Sequence, residues 1–271
     1  MTILAAILTL SGLGLVFGIG LAFASKKFCV VTDPRLEKVL NKLPGANCGA
    51  CGSPGCMGFA EGLIHGSCSV NSCVVAKDQA RQEIADILGV KVEKALKSAA
   101  VLHCHGGKKR ARDKYIYQGV EDCVAANLLQ QGPKACVYGC IGFGTCERAC
   151  PFGAIKMSPE GLPVVDENKC TACGKCVATC PKRLFSLVDT AKTYAVRCRS
   201  LEMGKKVSAA CSVGCIACRR CEKACPVKAI KIIDNLSVID YNICDNRGEC
   251  FKACPTSSIA RKEKSVWSNK K

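Results

Sequence analysis

The sequence predicts an α+β protein with an N-terminal transmembrane helix, a small helical domain and two tandem cysteine-rich modules. Three observations lead to this fold class. Residues 3–24 carry no charge, and residues 74–88 have the apolar periodicity of an amphipathic helix closed by Gly89. Short strand-like runs, cysteine loops and helical turns then alternate twice, over 136–190 and 211–262. This second pass indicates an internal duplication.

The uncharged N-terminal segment is long enough to cross a membrane. As a helix it would measure about 33 Å, against about 30 Å for a bilayer core. Lys26 and Lys27 follow it and nothing basic precedes it. The positive-inside rule therefore predicts a single-pass anchor at 1–27 in the inner (cytoplasmic) cell membrane, with the N-terminus outside and the later domains cytoplasmic. A cleaved signal peptide is the alternative, but the segment lacks a charged start and its apolar run is too long.

Cysteine usage sets the chemistry, since 25 of the 271 residues are Cys. Many stand in C-x2-C-x2-C-x3-C-P runs, the ligand pattern of [4Fe–4S] clusters in bacterial ferredoxins. A disulfide scaffold would need a small domain in an oxidising compartment. The runs therefore predict cluster ligation in a reducing compartment, with 136–190 and 211–262 as bacterial-ferredoxin-like modules.

The net charge needs correction for such clusters. The chain has 39 Lys and Arg against 22 Asp and Glu, a formal charge of +17. A cluster with four thiolates carries about −2, so five would leave about +7. This weakens a nucleic-acid function and favours an acidic protein partner or an anionic lipid surface.

The first predicted ligand set lies in the small helical [4Fe–4S] domain at 28–98. Closely spaced glycines would let the loop wrap a cluster and point amides at its sulfides. Four thiolates also suit tetrahedral zinc, which is the alternative. The set comprises Cys48, Cys51, Cys56 and Cys73.

The second set lies in the first module. In a two-cluster ferredoxin, the Cys before Pro ligates the other cluster. Cys170, Cys173 and Cys176 would then take Cys150 as their fourth ligand. Cys140 and Cys146 would take Cys180, and Cys136 would replace the ligand missing at Phe143.

The third set lies in the second module and is incomplete. Cys215, Cys218 and Cys221 would be completed by Cys254. The partner cluster has Cys225, Cys244 and Cys250, but Arg247 stands at its remaining ligand position, and Arg cannot ligate iron. This cluster is a three-iron cluster, borrows Cys198 or Cys211, or is absent. The cofactors predicted are therefore four [4Fe–4S] clusters and a fifth that is [4Fe–4S] or [3Fe–4S].

The remaining cysteines have weaker predictions. Cys29 and Cys68 are expected to pack as small hydrophobes. His103-Cys104-His105 could bind a metal, although no second ligand pair is nearby. Residues 99–135 and 191–210 are interpreted as connectors and 263–271 as a basic tail. No nucleotide-binding loop or catalytic triad is present, and no catalytic residue is predicted.

Three segments of the chain resemble the B subunit of the Rnf complex. They are Pro44-Gly45-Ala46-Asn47-Cys48-Gly49-Ala50-Cys51-Gly52-x-x-Gly55-Cys56, the segment Gly139–Cys146 and Cys150-Pro151-Phe152-Gly153-Ala154-Ile155. That complex is an ion-translocating ferredoxin:NAD oxidoreductase. The resemblance covers nearly the whole chain, and Arg247 departs from it. It implies an electron-transfer subunit whose partners are soluble ferredoxin and other membrane subunits.

Two other functions share parts of the pattern. The Cys48–Cys73 motif also occurs in corrinoid iron–sulfur proteins, but the anchor and the tandem modules argue against that class. A cluster-based redox sensor needs one exposed labile cluster, whereas several in series make a conducting path.

Overall fold

The structure is a computed structural model that describes residues 2–28, 33–92 and 97–262. The predictions for Cys29 and for the basic tail at 263–271 lie outside these residues. Helix α1 spans Thr2–Lys27. Its stretch Ile7–Lys27 has 21 residues with a mean hydropathy of 2.1, and none of it is buried against the rest of the chain. By length and composition this is the helix that the sequence predicts to cross a membrane.

The small N-terminal domain is helical. It contains α2 (Pro34–Lys42), α3 (Gly55–Ile64), a 3-10 turn (Val70–Ser72) and α4 (Asp78–Leu88). The carboxylate of Asp33 caps α2 by accepting a 2.8 Å hydrogen bond from the Arg35 amide, and Pro34 fits the first turn. Val39, Phe59 and Ile84 form the core between these helices. Helix α4 starts at Asp78 rather than Val74 because Cys73 ends the 3-10 turn in extended conformation.

The next unit, residues 98–189, mixes short strands and helical turns. We call it the first unit. Two antiparallel pairs organise it, one joining its ends (β1 and β4, with Leu102 opposite Phe185) and one a hairpin (β2 and β3). Its elements are β1 (Ser98–Leu102), α5 (Cys123–Leu128), α6 (Thr145–Arg148), β2 (Ile155–Met157), β3 (Pro163–Val165), α7 (Lys175–Thr179) and β4 (Phe185–Asp189).

The second unit, residues 194–261, repeats this plan. Its end strands β5 and β8 pair with Val196 opposite Ile259, and β6 and β7 form the hairpin. Its elements are β5 (Tyr194–Val196), α8 (Gly204–Ala210), α9 (Arg220–Ala224), β6 (Ile230–Ile233), β7 (Leu236–Ile239), α10 (Glu249–Ala253) and β8 (Ile259–Arg261). The two units are therefore topological copies, as the repeated cysteine runs indicate.

Both units begin earlier than their cysteine runs. Strands β1 and β5 lie almost wholly in the segments that the sequence pattern assigns to connectors. Each pairs with the last strand of its own unit, far along the chain, so no local sequence pattern marks it.

The cores of the two units are built from cysteine and aliphatic side chains, mostly Leu and Ile, with a buried aromatic ring in each. A separate small cluster joins Val101 and Val188 of the first unit to Ala195 of the second. His103 bridges the same junction, with ring nitrogens 2.7 Å from the Val196 carbonyl oxygen and 2.6 Å from the Ser186 hydroxyl. The units are thus packed against each other through the strands that open and close them.

Candidate iron–sulfur sites

The first group of thiols lies in the loop before α3 and in the 3-10 turn. We call Cys48, Cys51, Cys56 and Cys73 the loop site. Gly49, Gly52 and Gly55 all have positive φ, between 72 and 89°, so the loop bends where side chains are disfavoured. The Asn47 carboxamide accepts a 2.8 Å hydrogen bond from the Cys56 amide and holds the loop closed. Burial raises the pKa of Cys73, and the nearby thiols of Cys51 and Cys56 act in the same direction.

The geometry of these thiols bears on zinc as an alternative occupant. Within residues 2–28, 33–92 and 97–262, no three or more His, Cys, Asp or Glu side chains have the spacing to hold a single metal ion. A cuboidal cluster separates its thiolates more widely than one tetrahedral ion does. The donor set is all sulfur, which suits iron–sulfur chemistry.

Cys68 lies beside this loop but takes a different place. Its Sγ is 3.7 Å from the Ser53 hydroxyl, and a Cβ at Gly62 would stand 2.7 Å from that sulfur. Cys68 therefore packs against the glycine face of α3, while Cys73 is the cysteine close to Cys51 and Cys56.

Two cavities of the first unit each contain four cysteines. The first is lined by Cys150, Cys170, Cys173 and Cys176, and we call this site A. The amide of Ala100 on β1 donates a 3.4 Å hydrogen bond to the Cys170 sulfur. Burial raises the pKa of Cys176 to about 12, and the other three thiols add to the effect. The structure thus brings together the four cysteines that the sequence groups here.

The second cavity is lined by Cys123, Cys140, Cys146 and Cys180, and we call this site B. Cys123 stands where the sequence pattern predicts Cys136. Burial raises the pKa of Cys146 to about 12, and Cys123 and Cys180 are the neighbouring thiols that raise it further.

Cys123 is held in site B by a network around Thr145, the first residue of α6. The Thr145 hydroxyl accepts a 2.8 Å hydrogen bond from the Cys123 amide and donates one of 2.8 Å to the Asp122 carboxylate. Arg148 pairs with the same carboxylate at 3.1 Å. Asp122 also caps α5 through the Val124 and Ala125 amides. These bonds tie the start of α5 to the turn that carries Cys146.

Cys136 lies in a different cavity, at the junction of the two units. It faces Cys104, Cys198 and Cys211 there, rather than Cys140 and Cys146. The prediction that Cys136 replaces the ligand missing at Phe143 is therefore wrong, and Cys123, further upstream, takes that place. The sequence pattern did not reveal Cys123 because the segment 123–140 folds back on itself, and a ligand that far from the next one has no characteristic spacing in the sequence.

The second unit brings its thiols together in two groups. Burial raises the pKa of Cys221, and Cys215 and Cys254 are the thiols beside it. Burial also raises the pKa of Cys250 to about 11, with Cys244 and Cys225 beside it. We call the first group site C, to which the sequence pattern also assigns Cys218, and the second group site D. The Cys254 sulfur lies 3.2 Å from the Ser258 hydroxyl and 3.9 Å from the Thr256 hydroxyl. Hydroxyl groups that donate to sulfur favour its thiolate form.

Site D has no fourth cysteine in place among the residues that the structure describes. Arg247 is turned outward, where its guanidinium pairs with Asp245 at 2.6 Å. Cys198 and Cys211, the candidates for lending a ligand, lie at the unit junction with Cys104 and Cys136. The structure therefore gives site D the three thiols of Cys225, Cys244 and Cys250.

His103 and His105 were candidate metal ligands with Cys104. Both ring nitrogens of His103 are engaged with the Val196 carbonyl and the Ser186 hydroxyl. The Nε2 of His105 lies 3.2 Å from the Arg110 guanidinium. With these contacts, the two imidazoles do not face the Cys104 sulfur together, as a shared metal site would require.

Three family models match the chain. Residues 43–75 match the model described as "Putative Fe-S cluster", residues 134–184 the 4Fe-4S dicluster domain and residues 210–228 a 4Fe-4S binding domain. These matches cover the loop site, most of sites A and B, and the first run of site C.

Curated relatives match the chain over most of its length. The chain is 43% identical over 247 residues (91% of this chain, 74% of the relative) to the B subunit of the Na(+)-translocating ferredoxin:NAD(+) oxidoreductase complex of Acetobacterium woodii. It is 40% identical to the B subunit of the ion-translocating oxidoreductase complex of Methanosarcina acetivorans (94% and 96% covered). It is also 40% identical to the B subunit of the proton-translocating ferredoxin:NAD(+) oxidoreductase complex of Clostridium ljungdahlii (95% and 92% covered). The chain therefore belongs to the family of B subunits of the ion-translocating (Rnf-type) oxidoreductase complexes.

Proposed function

We propose that this chain is the iron–sulfur electron-transfer subunit of an ion-translocating ferredoxin:NAD oxidoreductase complex, and that it takes electrons from reduced ferredoxin. The observation that carries the proposal is the pair of adjoining four-cysteine cavities in the first unit, sites A and B. The family relationship supplies the complex, since the relatives are named as subunits of such complexes.

The fold supports a tandem arrangement of ferredoxin-like modules. Each unit has one strand pair at its ends and one hairpin, with a helical turn after each cysteine loop. In both units, the Cys that precedes Pro at the end of one cysteine run lies with the cysteines of the other run, as in two-cluster ferredoxins. Cys150 lies with Cys170 in site A, and Cys254 lies beside Cys221 in site C.

The ligand sets follow from these groups. The loop site holds one [4Fe–4S] cluster with Cys48, Cys51, Cys56 and Cys73. Sites A, B and C hold one each, with Cys123 as the fourth ligand of site B. Site D, with Cys225, Cys244 and Cys250, holds a fifth cluster, which is a [3Fe–4S] cluster because three thiolates are available there. These clusters supply one-electron redox chemistry, and the chain supplies thiolates, amide donors and exclusion of water.

Helix α1 anchors the subunit in the membrane. It is apolar, has the length of a membrane span and makes no buried contact with the domains over its described stretch. Lys26 and Lys27 at its C-terminal end support, by the positive-inside rule, an orientation with the cluster domains on the cytoplasmic side and the N-terminus outside. This orientation keeps the thiolates in a reducing compartment and within reach of soluble ferredoxin.

Ferredoxin docks at site C. Cys218 is the exposed cysteine among those that the structure describes. The basic residues that follow Cys218 along the chain are also exposed: Arg219, Arg220, Lys223 and Lys228. A basic rim around an accessible cluster would attract an acidic redox protein and raise the association rate.

The test is reconstitution of the complex with the anaerobically purified full-length chain. Ferredoxin-dependent NAD reduction should require the subunit, and Cys170→Ser, Cys173→Ser and Cys218→Ser should each abolish it and lower the iron content. Cys68→Ser serves as the matched control and should leave both unchanged. Full activity without the subunit, or with these ligands substituted, would overturn the proposal.

A further inference from the structure

Four cysteines outside the loop site and sites A to D gather in one cavity between the two units. Cys104, Cys136, Cys198 and Cys211 line this cavity. We call it the junction site.

The internal duplication relates these cysteines in pairs. Cys104 follows the last residue of β1 by two positions, and Cys198 follows the last residue of β5 by two positions. Cys136 precedes Cys140 by four positions, and Cys211 precedes Cys215 by four positions. Each unit therefore contributes one equivalent pair of thiols to a shared, pseudo-symmetric site.

Backbone amides point at these sulfurs as they do in sites A and B. The Cys140 amide donates a 3.4 Å hydrogen bond to the Cys104 sulfur, and the Ser200 amide donates one of 3.5 Å to Cys198. The corresponding bonds in sites A and B are 3.4 Å to Cys170 and 3.5 Å to Cys180. Amides aimed at sulfur stabilise thiolates rather than thiols.

Gly106 keeps the cavity open. A Cβ at this position would stand 3.0 Å from the Cys211 sulfur and 3.9 Å from the Cys104 sulfur. Two sulfurs from different units thus approach one point on the cavity wall, and any larger residue would occupy the space between them.

A buried lysine supplies positive charge beside the cavity. Lys134 is 7% exposed, and its ammonium donates a 2.7 Å hydrogen bond to the Gly106 carbonyl. Its charge acts on the thiols of Cys140 and Cys211. No carboxylate within the described ranges forms an ion pair with it. A buried ammonium is costly without a counter-charge, and a cluster with four thiolates carries about −2.

We propose that Cys104, Cys136, Cys198 and Cys211 hold a further [4Fe–4S] cluster, which connects the first unit to the second. The proposal rests on the proposed function, since it takes sites B and C as its redox partners. The cluster accepts one electron from one of these neighbours and gives one electron to the other, and no atom or proton is transferred. With this site, only Cys29 and Cys68 stay outside a cluster.

The position of the junction site suits this relay. The amide of Cys140, a site B cysteine, bonds to Cys104. The backbone of Cys215, a site C cysteine, bonds to the Cys198 thiol, whose pKa burial raises to about 11. Hydrogen bonds therefore link the junction site directly to a ligand residue on each side.

The experiment compares full-length variants purified anaerobically in detergent. Cys136→Ser in the first unit and Cys211→Ser in the second should each lose about four irons and four sulfides per chain. Both should lose the same EPR signal, and Cys146→Ser should lose a different one. Cys68→Ser is the matched control and should match the wild type. Lys134→Gln, which keeps a donor for the Gly106 carbonyl, should lower the midpoint potential of the shared signal, because removal of a positive charge disfavours reduction.

The outcomes separate this proposal from the proposed function. Unchanged iron in both variants, with the signals of sites A to D intact, would overturn the junction cluster alone. Loss of two different signals would overturn it as well, because Cys136 and Cys211 would then serve separate sites. A wild-type chain without iron would overturn the proposed function itself. Where a serine variant fails to fold, the midpoint potential of the Lys134→Gln variant tests the proposal instead. A midpoint potential equal to that of the wild type would count against the junction cluster.

Discussion

The backbone amide of Cys140 lies 3.4 Å from the sulfur of Cys104 and donates a hydrogen bond to it. The two cysteines are 36 positions apart in sequence. Cys140 lines site B with Cys123, whereas Cys104 lines the junction site with Cys136. This contact therefore marks the boundary between site B and the junction site, whereas the sequence pattern assigns Cys136 to the same group as Cys140.

Substitution of Cys123 tests the composition of site B. Cys123→Ser should remove or convert the same cluster as Cys146→Ser, because both thiols line one cavity. Iron analysis with EPR on the two variants and their double variant measures this, and the double variant should lose no more iron than either single one. Additive losses would show that Cys123 belongs elsewhere.

Substitution of Arg247 tests the missing ligand of site D. Arg247→Cys restores the middle cysteine of the C-x2-C-x2-C run, and with it a fourth ligand for site D, and should convert a three-iron cluster to a four-iron one. The gain would be about one iron per chain, with the EPR signal of a [3Fe–4S] cluster lost. Arg247→Ser removes the Asp245 ion pair in the same way and should leave the three-iron signal in place.

The rate of reaction with ferredoxin should depend on salt and on the basic rim of site C. The second-order rate should fall severalfold from low to physiological ionic strength, because exposed charges are screened beyond about 8–10 Å. Electron transfer within the bound complex should stay unchanged. Charge reversal at Arg219 and Arg220 together should lower the second-order rate and flatten its salt dependence. Stopped-flow oxidation of reduced ferredoxin measures all three.

Arg219 offers a cleaner variant of the same test. It occupies the left-handed position before α9 (φ 59°), where Gly144, Gly174 and Gly248 precede the equivalent helices. Arg219→Gly thus removes one charge and relieves about 1 kcal/mol of backbone strain. Lys77→Glu on the N-terminal domain is the control, and a rate lowered by it alone would mean that ferredoxin docks there.

Removal of iron should unfold both units. Buried cysteines make up a large share of both cores, and only 5% of the residues of the chain are aromatic. Chelation under reducing conditions should therefore unfold residues 98–262 cooperatively, since metal binding free energy is folding free energy here. Far-UV circular dichroism follows the loss, and a native spectrum in the apo-protein would contradict this.

The loop site can be tested through its two nearby cysteines. Cys73→Ser should cost about four irons per chain, because Cys73 is the thiol close to Cys51 and Cys56. Cys68→Ser should cost none, because that side chain packs against α3. Loss of iron from Cys68→Ser would contradict this assignment and would indicate that Cys68, not Cys73, is the fourth ligand.

Local patterns in the sequence predicted much of this architecture. The Asp33-Pro34 helix start, the Gly89 stop and the duplicated cysteine runs all have a short-range physical cause, and the structure has these features. The four thiols of site A lie together as their C-x2-C-x2-C spacing indicates.

What the sequence did not reveal depends on distant contacts. Strand β1 has no turn or cap signal, because its partner β4 lies more than eighty residues along the chain. The place of Cys123 depends on Thr145, and Cys104, His105 and Gly106, within the segment interpreted as a connector, line the unit junction. One sequence signal does point to the junction: Cys136 and Cys211 stand at the same distance before Cys140 and Cys215.

Because both units contribute cysteines to the junction site, its position in the chain has a consequence for biosynthesis. Ribosomes release the first unit, with Cys104 and Cys136, before Cys198 and Cys211 exist, so half of the site must wait for the other half. The machinery that inserts iron can finish the loop site and site A early, but it can close the junction only after the second unit has emerged and docked. Completion of this one site would thus report that the chain has been made at least as far as Cys211, and a nascent chain stalled before residue 211 could never acquire it.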